Sequence, residues 1–121
     1  MLYYVLTPAK LDRIDWNTNY KKRQKIVSLA KQNKLNNIGG YLYAIPDSLA
    51  LSPSCKGKMI SIEKQKDTLI TITFYTDRGL IDHYSGFVYT NDPTDMENFE
   101  ERLKEGGNDT KMEKNWYFIH E

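Results

Sequence analysis

The sequence predicts an α+β domain over residues 1–121: a single-layer, mainly antiparallel sheet of five or six strands with two helices packed on one face, ferredoxin-like with extra hairpin strands. Three observations carry this expectation. The stretch Thr68–Thr90 holds two β-type runs, T-L-I-T-I-T-F-Y and L-I-D-H-Y-S-G-F-V-Y-T, joined by T-D-R-G. A lysine-rich helical stretch precedes it and an acid-rich one follows. Short β-type runs flank both, in the order β-α-β-loop-β-β-β-α-β.

In the central hairpin Ile70, Ile72 and Phe74 fall on one side of the first run, and Thr71, Thr73 and Tyr75 on the other. Asp77 and Gly79 supply turn chemistry, Gly79 through its tolerance of positive φ. Ahead of the hairpin, Leu2–Thr7 reads as a strand ended by Pro8, which cannot donate to a ladder. Ala9–Trp16 shows no clear period and reads as a loop anchored by Trp16. Asn17 or Thr18 then caps a helix running to about Leu35. Tyr20, Ile26, Val27, Leu29 and Ala30 form its buried side, and Lys21, Lys22, Arg23, Lys25, Lys31 and Lys34 its surface.

Asn36-Asn37 stops that helix, and Ile38–Ile45 reads as a strand opening with Gly39-Gly40. The first β-α-β is thus expected to place two strands in parallel with a right-handed crossover. Pro46–Gly57 is the one long irregular connection, with Leu49-Ala50-Leu51 inside it. Lys58–Lys64 alternates around Ile60 and Ile62 as a strand. After Thr90, Asp92 caps a helix with Pro93 at its first position and Asp95 near its positive end. Met96, Phe99 and Leu103 form its buried stripe, Glu97, Glu100 and Glu101 face water, and Gly106 ends it. Gly107–Lys114 reads as a polar loop and Trp116–Ile119 as a closing strand.

Composition narrows the function classes. An apolar content of 40% with 27% charged residues in 121 suits one globular core and argues against disorder. No run approaches the roughly 20 apolar residues of a membrane span, and Met1–Leu6 is too short for a signal-peptide core. The single Cys55 excludes an internal disulfide and points to a reducing, cytoplasmic setting. Residues 1–60 carry ten Lys and Arg against three Asp and Glu, whereas residues 61–121 carry seven against thirteen. Such a split suits a polar partner surface, self-association, or complementary packing of solvated faces.

Little in the chain carries chemistry. Zinc would need His83, His120 and Cys55 to converge, with Asp82 as a fourth ligand, from positions without metal-ligand spacing. Cys55 lies in P-S-C-K-G, which is not a nucleophile elbow; Lys56 and Lys58 would lower its pKa only if it is exposed. In Asp82-His83-Tyr84, alternation puts His83 on one side of the strand and Asp82 and Tyr84 on the other. Neither Gly39-Gly40 nor Gly106-Gly107 belongs to a phosphate-loop pattern. The basic helix, with Trp16, Tyr20, Tyr41 and Tyr43 near it, has the residue types that bind phosphates and stack bases. The near-zero net charge and the acidic second half count against it.

Lys25–Tyr43, K-I-V-S-L-A-K-Q-N-K-L-N-N-I-G-G-Y-L-Y, after a strand containing Tyr3-Tyr4, resembles the first β-α-β of BLUF-type flavin photoreceptor domains over about a third of the chain. The resemblance implies a β-α-β start. No glutamine-bearing strand ending in a Leu-Glu-Gly-like turn follows, so it implies no flavin, and no cofactor is expected.

These readings favour a small non-enzymatic binding protein, an interaction or inhibitor-type module that meets a protein partner through its surface. Its binding candidates are Lys21, Lys22, Arg23, Lys25, Tyr41, Tyr43 and His83, and a homo-oligomer is compatible with the charge split. One alternative is nucleic-acid binding by the basic helix. Another is a small-molecule binder or enzyme with a pocket between the Leu49–Cys55 loop and the sheet, His83 serving as acid or base.

Overall fold

A computed structural model describes residues 8–51, 59–66, 68–76, 85–107 and 109–120. Helix α1 (Pro8–Lys31) is followed by strands β1 (Asn37–Gly39) and β2 (Leu42–Ala44), a 3-10 turn (Asp47–Leu49), β3 (Met59–Lys66), β4 (Leu69–Thr76) and β5 (Ser85–Thr90). Helix α2 (Pro93–Lys104), β6 (Thr110–Glu113) and β7 (Trp116–His120) complete it. The seven strands form one sheet in the order β1-β2-β3-β4-β5-β7-β6, every pairing antiparallel. The α+β class and the antiparallel sheet match the sequence expectation. The strand expected over Leu2–Thr7, the turn at Asp77–Gly79 and the cluster Asp82-His83-Tyr84 lie outside the described residues.

The core explains why β4 and β5 sit at its centre. Ile72 is opposite Tyr89, and Phe74 opposite Phe87, so one face carries an unbroken apolar band. Ile60, Ile62, Ile70, Ile72, Phe74, Phe87, Tyr89, Trp116 and Phe118 meet Trp16, Ile26, Val27 and Ala30 of α1 on that face. Phe87 and Phe118, directly paired across β5 and β7, stack with ring centroids 4.5 Å apart. Leu49 and Leu51 pack against this core from the connection after β2.

The helices do not share a face. Consecutive strand residues point to opposite sides, and Val88, Tyr117 and Ile119, which alternate with the α1-facing residues, pack instead with Phe99 and Leu103 of α2. Thr71, between Ile70 and Ile72, donates to Asp95 of α2 at 2.6 Å. The one-sided layout is therefore corrected to a sheet with α1 on one side and α2 on the other. The physical reason is that β5 and β7 carry large apolar residues facing both ways, Phe87 and Tyr89 against Val88, and Trp116 and Phe118 against Tyr117 and Ile119, and β5 is buried along all of Ser85–Thr90. A strand buried on both faces requires a cover on both.

Helix α1 begins at Pro8, a residue suited to a first helical turn, so the expected loop over Ala9–Trp16 and the caps at Asn17 and Thr18 are corrected. The buried positions Asp15, Trp16, Asn19, Arg23, Ile26, Val27 and Ala30 do follow a helical period. Three of them are polar, which hides the period from any apolar pattern. The helix ends in a Schellman motif: Lys34 N–H donates to the Leu29 carbonyl at 2.9 Å, Asn33 N–H to that of Ala30 at 3.1 Å, and Asn33 takes φ +57°.

Two other boundaries move. The strand expected over Ile38–Ile45 is a tight hairpin, because Gly39 (φ +136°) and Gly40 (φ +54°) reverse the chain. Gly107–Lys114, expected as a polar loop, contains β6, which pairs with β7 around a turn that places Asn115 at φ +72°. The start of helix α2 is as expected: the Asp92 carboxylate accepts from Thr94 N–H at 2.9 Å and Pro93 opens the first turn.

Candidate interaction site

Of the sequence-selected binding residues, those described divide between α1 and the β1–β2 hairpin. Lys21 and Lys25 are exposed on the outer side of α1. Lys22 is half-buried and donates to the Ala50 carbonyl at 2.9 Å, fastening the connection after β2 to the helix. Arg23 is not on the surface. It is 1% exposed, and its guanidinium binds the fully buried carboxylate of Asp15 at 2.6 Å and the Asp15 carbonyl at 3.3 Å. Asn19 donates to the same carboxylate oxygen at 2.9 Å. The guanidinium also lies over the Phe87 ring, 4.3 Å from its centroid. Planar charge against an aromatic face makes Arg23 part of the core.

Tyr43 is half-buried against the core, whereas Tyr41 is exposed. His83 lies outside the described residues, as do Cys55 and Asp82. His120 sits at the end of β7, where its backbone N–H donates to Asp109 at 2.9 Å and Arg102 donates to its carbonyl at 3.0 Å. Arg102 also pairs with Asp109 at 2.8 Å. This cluster ties α2 to the β6–β7 edge. Among the described residues no three His, Cys, Asp or Glu side chains come together as a metal site.

What the structure does bring together is an apolar patch on the β1–β2 hairpin. Tyr41, Ile38 and Leu42 are 65%, 51% and 40% exposed; among the described residues the one other exposed large apolar side chain is Ile14 of α1. The hairpin is braced from within: the Asn37 side chain accepts from Gly39 N–H at 3.0 Å and donates to the Gly40 carbonyl at 3.0 Å. Ile62 N–H then holds the Tyr41 carbonyl at 2.8 Å, fixing the tip to β3. Strand β1 is also an end strand of the sheet. A short, internally braced edge that presents three large apolar groups departs from the usual pattern, in which edges are blunted by charge or cover.

A sequence signal for this patch existed. Ile38, Tyr41 and Leu42 stand around two glycines, and a hairpin this short leaves too little chain to cover them. Reading Ile38–Ile45 as one continuous strand hid it. Comparison with protein-family models, with curated proteins and with solved structures finds no match. Among the described residues no helix is long and apolar enough to cross a membrane.

Proposed function

We propose that this is a small non-enzymatic interaction module that binds a cytoplasmic protein partner through the β1–β2 edge. The supporting observation is the exposure of Ile38, Tyr41 and Leu42 on a braced end strand. An extended segment of the partner fits this edge: its backbone extends the sheet while its apolar side chains cover the patch. Aromatic anchors such as Tyr41 carry much of the binding energy where they are buried on contact.

Quantitative affinity purification tests this reading, comparing the wild type with the Ile38→Ser/Tyr41→Ser/Leu42→Ser variant. The substitutions are on exposed side chains, so circular dichroism and the melting temperature should change little. Proteins retained by the wild type should be lost from the variant. Equal retention by both sinks the proposal.

Nucleic-acid binding by α1 is a second reading. It gains support from the placement of the acidic helix α2 on the far side of the sheet, which leaves Arg13, Lys21, Lys25 and Lys34 without an ion pair among the described residues. It loses Arg23 and Lys22, both engaged inside the fold. Retention on immobilised DNA that falls steeply with salt, and flattens in Lys21→Gln/Lys25→Gln, would favour it.

A further inference from the structure

We propose that the pocket where the end of α1 meets the β3–β4 turn binds a phosphate monoester. It has a volume of about 240 Å³ and is lined by Lys31, Lys64, Thr68 and Asn91, with Ala30 and Ile70 as its apolar floor. Among the described residues no carboxylate lines it. Its size lies below the roughly 300–1,000 Å³ of pockets for larger ligands, which matches one small polar group.

Both cations are held in place by neighbours that do not neutralise them. The Lys31 ammonium lies 4.9 Å from the centroid of the Tyr89 ring. The Lys64 ammonium donates to the side-chain oxygen of Asn33, the residue that the Schellman turn fixes in a left-handed conformation. Neither lysine pairs with a carboxylate among the described residues, and an ammonium has three donors, so each retains donors for a ligand.

The walls are equally fixed. Asn91 accepts from Ile70 N–H at 2.7 Å and donates to the Thr68 carbonyl at 2.9 Å, which closes the mouth of the β3–β4 turn. The Thr68 hydroxyl makes no hydrogen bond with a described residue and stands beside the lysines. The helix end does not oppose an anion as strongly as a bare one would, because the Ser28, Leu29 and Ala30 carbonyls are taken up by Gln32, Lys34 and Asn33 N–H groups. Two lysines and a threonine lining a small cavity, with no carboxylate among its described lining residues, match a doubly charged tetrahedral oxyanion. This site is separate from the β1–β2 edge and from the outer side of α1.

The test is a two-dimensional amide NMR titration with inorganic phosphate, run against sodium chloride at matched ionic strength. Saturable shifts at the Lys31, Lys64, Thr68 and Asn91 amides are expected with phosphate only. Lys31→Gln and Lys64→Gln should each weaken binding about tenfold or more, as losing a hydrogen bond to a charged group does. The Lys21→Gln/Lys25→Gln variant should keep it. A phosphoserine peptide and a nucleoside 5′-monophosphate form two further arms, and saturation by either supports the site and identifies the source. Failure of all three ligands to saturate, equal shifts with chloride, or equal loss in Lys21→Gln/Lys25→Gln overturns the proposal.

Discussion

Arg23 reaches back two turns along α1 to bind Asp15 at 2.6 Å, and neither side chain is open to solvent. Removing one partner of a buried pair leaves the other charge uncompensated, which costs about 3–5 kcal/mol. Arg23→Gln and Asp15→Asn should each lower unfolding free energy by about that amount in urea denaturation. Charge reversal at Lys21 and Lys25 should change it by less than about 1 kcal/mol, as exposed substitutions do. Equal effects at the two pairs of positions would show that the burial of Arg23 has no energetic weight.

Ile72 is fully buried at the centre of the sheet, opposite Ile62 on one strand and Tyr89 on the other. Ile72→Ala should cost about 2–5 kcal/mol, combining lost transfer energy with the cavity left behind. A loss below about 1 kcal/mol would mean the neighbours collapse into the space, against the close packing of cores.

Gly86 is required by close approach rather than by its backbone angle. A Cβ there would meet the Phe74 carbonyl oxygen at 2.9 Å and the Thr73 methyl carbon at 3.2 Å. The first neighbour is backbone and cannot turn away, so β4 and β5 would have to separate. Gly86→Ala should destabilise by about 1–3 kcal/mol, the range for overpacking. An unchanged melting temperature would contradict the contact.

On the α2 side, Tyr117 donates to Glu100 at 2.7 Å. Burial, then this hydrogen bond and the carboxylate's charge, push the Tyr117 phenol up to about 12. The same bond, followed by Lys111, holds the Glu100 carboxyl below its usual range. Because the folded phenol titrates above the unfolded value of about 10, its stabilising contribution is complete below pH ~10 and is lost as pH rises through about 12. For Glu100 the sign is opposite: its contribution is present above the unfolded carboxyl value and lost as pH falls through the lower folded one. Tyrosinate absorbance should show a late-ionising group that disappears in Tyr117→Phe, and the same variant should raise the Glu100 midpoint in carboxyl NMR. Ionisation of all nine tyrosines as one class near 10 would contradict the contact.

The α+β class, the central β3–β4–β5 meander and the bounds of α2 follow from the sequence by local rules. Alternation through Ile70, Ile72 and Phe74 needs only the strand period, and Asp92-Pro93 opens a helix through its own backbone chemistry. The start of α1 did not follow, because Asp15, Asn19 and Arg23 put charge and amide where an apolar stripe announces a helix; their mutual hydrogen bonds help to make that burial tolerable. The placement of the helices on opposite faces also needed the tertiary structure. It depends on β7 inserting between β5 and β6, and strand order is a long-range choice that no local period encodes. The candidate sites divide in the same way: Tyr41 was visible as a surface aromatic, while the Lys31–Lys64 pocket exists only because sheet and helix ends converge there.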